Sequence, residues 1–199
     1  MKSHRAVVVV LLPVVLGMLL VCSTLAQSVS SSDKEYATKG VFELGGDIGY
    51  SSYTSVTAGQ TSSTTYTSFS LTPSIGYFVT DGLQLALDPF SLSVSSHTGA
   101  SSSPTEIHIM GGLGYAFKTQ GSAYPFIQGL AGYSTYSSGS TSLNGFSWGA
   151  KGGVKIVIAS HAIFQAGVQY LQITENPSGA TSRFGYNELL IGGGFTVWL

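Results

Sequence analysis

The residues that could do chemistry are few, and they fall in a pattern. Glu43, Asp47, Glu106, His108, Lys151, Lys155 and Glu188 each interrupt a stretch of alternating apolar and small residues. Glu43 and Asp47 share one face of a period-two segment, and Lys151 and Lys155 share one face of another. Carboxylates and ammonium groups set this way can form ion pairs, line a narrow water-filled path, or serve as acid and base. A charged group inside a fold is costly unless it is paired or wet. These faces therefore predict a polar interior in which Lys151 and Lys155 neutralise the acids, with Gln128, Gln165 and Gln169 among them.

Catalysis by this set is not expected. It needs a nucleophile beside a base. His97 lies in a stretch so rich in Ser and Thr that a hydroxyl neighbour is unavoidable, while His108 falls on an inward face and His161 at a turn. The four histidines and the one cysteine, Cys22, show no metal-ligand spacing. No catalytic residue, metal or cofactor is assigned.

The elements that must position these residues are strands. From the end backwards, Leu199, Val197, Phe195, Gly193, Ile191 and Leu189 form an apolar face, and Trp198, Thr196, Gly194, Gly192, Leu190 and Glu188 form the other. Seven similar segments precede it. Phe42, Leu44, Ile48 and Tyr50 face outward in the first, and Phe69, Leu71, Ile75 and Tyr77 in the second. Thr80-Asp81-Gly82 turns the chain, with Asp-Gly supplying the positive φ angles of a tight hairpin. After Leu83, Leu85 and Leu87 the phase slips at Asp88-Pro89, which predicts a bulge. Ile107, Ile109, Leu113 and Tyr115 face outward in the fourth segment; even positions face inward in the fifth. Phe146, Trp148 and Ile156 face outward in the sixth, and Phe164, Val168 and Tyr170 in the seventh. Ser/Thr-rich stretches at Thr54–Thr64, Ser95–Pro104, Ser134–Asn144 and Thr174–Ser182 read as long loops that alternate with short turns.

Composition says where such strands belong. Only 9% of residues are charged, 26 are Gly, and aromatics make up 12%. A soluble domain carries about 25% charged residues. The mean hydropathy of +0.29 points to lipid, and a formal net charge of −1 gives no grip on nucleic acid. Lys2 and Arg5, the apolar run Ala6–Val21 and the small residues up to Ala26 follow the order of a cleaved secretory signal peptide. We therefore expect a signal-peptide helix over 1–26, a short periplasmic leader over 27–39, and an all-β, eight-stranded antiparallel up-and-down transmembrane β-barrel over 40–199. Its first and last strands should pair, leaving no edge in lipid. Aromatic rings fall in two groups by depth, Phe42, Tyr77, Phe117 and Phe195 against Tyr50, Tyr133, Trp148 and Tyr170, as two interfacial girdles require.

Pro73 to Leu83, the Gly-Gly-Leu-Gly-Tyr run at 111–115, Tyr124-Pro125-Phe126 and the last strand together resemble the small eight-stranded outer-membrane barrels that include the transmembrane domain of outer membrane protein A. The resemblance implies a location in the outer membrane of a Gram-negative bacterium, with the lipid bilayer and the outer-membrane insertion machinery as partners and a monomer as the assembled form. It also implies a C-terminal assembly signal, matched here by Gly194, Val197 and Leu199, although such signals usually end in Phe. The expected role is structural or at the surface, without catalysis, with the Ser/Thr-rich loops used in adhesion or shielding. A narrow pore of low conductance is the alternative, followed by a lipid-modifying barrel enzyme.

Overall fold

Period-two alternation with β-branched and aromatic residues builds strands here, because each strand has lipid on one side and a lumen on the other. A computed structural model describes residues 35–95, 105–138, 141–174 and 184–199. The strands are β1 (Phe42–Thr57), β2 (Gln60–Thr80), β3 (Leu83–Ser95), β4 (Thr105–Ala116), β5 (Ala123–Ser138), β6 (Thr141–Ala159), β7 (Ala162–Thr174) and β8 (Gly185–Trp198). They form a closed antiparallel barrel in chain order.

The seam joins β1 to β8, with Gly46 opposite Phe195 and Tyr50 opposite Ile191. Two backbone hydrogen bonds fasten its end: Phe42 N–H donates to the Leu199 carbonyl at 3.1 Å, and Leu199 N–H to the Phe42 carbonyl at 2.9 Å. The faces are inverted relative to a water-soluble protein. Ile48, Leu85, Ile109, Leu113, Ile127, Val168, Ile191 and Phe195 point outward, with Phe195 65% exposed, while Glu43, Asp47, Lys155 and Glu188 are buried. Aromatic residues gather near both rims. Phe164 lies 5.4 Å from Phe195 and Tyr115 5.0 Å from Phe117 near the chain termini. Farther along, Tyr50 stands opposite Phe69 and Tyr133 opposite Phe146.

The phase slip at Asp88-Pro89 is a bulge. The register shifts between Leu71 and Ile75 on one side of β3 and between Asp88 and Ser91 on the other. At the β2–β3 turn only Gly82 has a positive φ, 77°; Asp81 does not. Thr80 pairs with Leu83, so the expected two-residue turn at Asp81-Gly82 is present, with a register shift between Phe78 and Thr80 beside it.

Two of the expected loops are strand. β1 and β2 remain paired to Thr57 opposite Gln60, and β5 and β6 to Ser138 opposite Thr141. Thr54–Thr64 is therefore a hairpin turning at Ala58-Gly59, and Ser134–Asn144 is strand on both sides of 139–140. Beyond the lipid both faces of a strand meet water, so the alternation that marks a strand fades while Thr still favours it. The loops at Ser95–Pro104 and Thr174–Ser182 fall largely outside the described residues, as do His4, His97, Cys22 and the expected signal peptide.

Candidate functional site in the barrel lumen

The inward residues of the eight strands meet in layers along the barrel axis. Nearest the termini is an apolar layer of Val41, Phe78, Ala116, Tyr124, Phe126, Ile163 and Trp198, joined by Tyr36 and Ala37. The expected leader thus does not end outside the barrel: Tyr36 is 3% exposed. Its ring packs edge-on against Tyr124 at 4.7 Å and Phe78 at 5.6 Å, and tilted against Trp198 at 5.4 Å.

The charged layer follows. Lys155 Nζ donates to Glu43 Oε2 at 2.8 Å and to Gln84 Oε1 at 3.2 Å. Glu43 also accepts from Tyr36 Oη and Gln84 Nε2, both at 2.5 Å. Lys151 pairs with Asp47, and Gln165 Nε2 donates to Asp47 Oδ1 at 2.5 Å. Both ion pairs run from β6 to β1, across the lumen. The Lys155 ammonium also lies 5.4 Å from the centre of the Phe126 ring, within cation–π range. Glycine makes room for this layer: a Cβ on Gly76 would collide with the Gln84 amide and come 3.1 Å from Glu43 Oε2.

Burial raises the Tyr36 hydroxyl above its ordinary pKa, and the Glu43 charge and hydrogen bond raise it further. It stays protonated and donates. Outside the wall, the Lys118–Glu35 hydrogen bond at 2.6 Å raises the lysine in the same direction.

Farther from the termini, His108 Nδ1 meets Ser134 Oγ at 2.5 Å, and Ser134 continues to Ser147. Ser51 and Ser68 share a hydrogen bond of 2.6 Å. A second apolar layer of Met110, Leu130, Leu171, Ile173 and Tyr186 lies among them. Glu188 is buried and lines a cavity of about 10 Å³ together with His108 and Asp88. The Asp47–Lys151 pair borders another of about 20 Å³. Each has room for about one water.

The structure thus joins Glu43 to Lys155 and Asp47 to Lys151 in two neighbouring clusters and places His108 and Glu188 farther from the termini. Glu106 stands in β4 opposite Ser93 and Tyr136. Gln84, Asp88 and Tyr36 escaped the sequence reading. Gln84 alternates with Leu83 and Leu85, so its inward phase was available; Asp88 was hidden by the bulge beside it, and Tyr36 by the polar leader around it. At the expected assembly signal, Gly194 fits between strands: a Cβ there would strike the Gly46 carbonyl and come 2.7 Å from Asp47 Oδ1. Val197 stands opposite Leu44 and Ala162. Among the described residues, no group of His, Cys, Asp and Glu could hold a metal ion.

The model of the outer membrane protein beta-barrel domain matches residues 14–193. The chain belongs to that family. Solved structures agree with this outer-membrane barrel in fold. Neisserial surface protein A superposes with a TM-score of 0.64 at 18% identity, covering 80% of this chain and 99% of its own. The outer membrane protein OprG from Pseudomonas aeruginosa gives 0.51 at 15%, covering 81% and 97%. The outer membrane protein AlkL, solved by solid-state NMR in lipid bilayers, gives 0.53 at 12%, covering 86% and 96%. No curated protein matches the sequence. The barrel is a protein of the Gram-negative outer membrane, and its apolar wall sits in the bilayer.

Proposed function

We propose that the protein is a closed, non-catalytic outer-membrane barrel that acts at the cell surface through its Ser/Thr-rich hairpins, in adhesion or shielding, as a monomer inserted by the outer-membrane assembly machinery. The observation that carries this reading is the packing of the lumen among the described residues: paired charges between two apolar layers, with cavities of about 20 and 10 Å³ beside Asp47–Lys151 and Glu188. An eight-stranded barrel has an interior just wide enough for side chains to fill. This argues against the narrow pore, which needs a continuous wet path. It also argues against lipid chemistry, because His108 is enclosed with Ser134 and Ser147 rather than placed where a lipid could reach it. Among the described residues, what remains for contact with other molecules is the pair of arms β1–β2 and β5–β6.

The test replaces residues 54–64 and 135–143 with short turns and checks the folded state by heat-modifiable gel migration. We expect the shortened barrel to fold while adhesion of the cells, or their resistance to surface-binding antibody and protease, is lost. Unchanged adhesion and resistance in a folded shortened barrel would refute the assignment.

A further inference from the structure

We propose that residues 35–41 form a stopper that closes the terminal mouth of the barrel and keeps water from the Glu43–Lys155 pair. Five features place it. Tyr36 inserts its ring among residues of β2, β5 and β8: Phe78, Tyr124 and Trp198. Its hydroxyl reaches Glu43 of β1 at 2.5 Å. The backbone is tied to the wall, with Gly40 N–H donating to the Phe78 carbonyl and Gly82 N–H to the Ala37 carbonyl, both at 2.8 Å. Lys39 N–H donates to Asp81 Oδ1 at 2.8 Å, and Lys118 holds Glu35 outside. Ala37 takes a positive φ of 62°, a conformation uncommon for a residue with a side chain. That turn is what aims Tyr36 into the mouth.

The stopper is built from parts of different strength. Inside, a buried aromatic ring and a hydrogen bond to a carboxylate hold it. Outside, Lys118, Glu35, Lys39 and Asp81 are exposed and contribute little. Seating therefore depends on the Tyr36 ring, and the exposed links set only its orientation. Because its contacts come from β1, β2, β5 and β8 together, the site for the ring exists only in the closed barrel. The leader thereby completes the closure that β1 and β8 begin.

The test uses a thiol reporter behind the stopper. Thr196 faces inward, is 3% exposed, and lies two residues before Trp198 on β8. Thr196→Cys is made in the full chain, alone and combined with Tyr36→Ala or Tyr36→Phe. A charged, membrane-impermeant methanethiosulfonate is added to the folded barrel in detergent, and the introduced thiol is read on its own peptide by mass spectrometry. We expect labelling to be roughly tenfold faster or more with Tyr36→Ala, since protection follows local opening, and to stay slow with Tyr36→Phe, which keeps the ring. Equal rates in all three folded chains would overturn the stopper, and so would Tyr36→Phe labelling as fast as Tyr36→Ala. If the alanine chain gives no folded band, Tyr36→Leu takes its place, with the same two readings.

Discussion

Lys155 Nζ stands 2.8 Å from Glu43 Oε2, and both side chains are more than nine-tenths buried. The pair braces β6 against β1 across the lumen. Gln84 bonds to both partners, so little of the layer's hydrogen-bonding capacity is left over. A buried pair contributes little relative to a well-packed apolar replacement, yet removing one partner strands the other charge.

Lys155→Met is therefore expected to destabilise the barrel by about 3–5 kcal/mol, while the double variant Lys155→Met/Glu43→Gln recovers most of that loss. Urea unfolding of barrels refolded into vesicles measures both. Equal losses in the single and double variants would show that Glu43 is not stranded.

The inverted faces give a second expectation. Leu87 is 44% exposed on the outer wall and stands opposite Gly111, between Tyr115 of one aromatic group and Ile109, which faces Tyr133 of the other. Leu87→Arg should cost about 2–4 kcal/mol in a bilayer, and Tyr50→Arg near a rim about 0–1 kcal/mol plus the loss of its ring. The opposite order would mean that the depth of the strands has been misplaced.

Much of this was legible in the residues. Period two placed all eight strands and gave the inward side of Glu43, Asp47, Lys151, Lys155 and Glu188, because lipid on one side forces strict alternation. The pairing of β1 with β8 followed from the absence of any edge tolerable in lipid. Legibility failed where the solvent is the same on both sides: Thr54–Thr64 and Ser134–Asn144 alternate too weakly to announce a strand, although Thr supports one. It failed again where a residue's role is set by distant partners. Nothing near Tyr36 in sequence signals Phe78, Tyr124 and Trp198, and Asp88 sits beside the bulge that confuses its phase.

Tyr36 also sets a pH dependence. Its folded pKa is raised, first by burial and then by Glu43. The stability from its neutral hydroxyl is thus complete below the ordinary tyrosine value of about 10 and declines as the pH rises above it. Between pH 10 and 12 the wild-type barrel should lose more stability than Tyr36→Phe, measured by denaturant midpoints. Parallel losses would remove Tyr36 from the titrating groups.

The last strand offers a test of assembly. Gly194→Ala places a methyl against the Gly46 carbonyl and Asp47 Oδ1, so the folded, heat-modifiable fraction should fall. Leu199→Phe restores the usual final residue of such signals, and we expect it to raise that fraction in cells while leaving stability within about 0.5 kcal/mol. A drop in folded protein with Leu199→Phe would separate this chain from that signal.

The central claim, a lumen closed by its own side chains, is tested most directly by single-channel recording of the purified barrel in planar bilayers. The account predicts no conductance steps above the bare membrane, for the wild-type chain and for Lys151→Ala alike; reproducible steps from the folded wild-type barrel would contradict it.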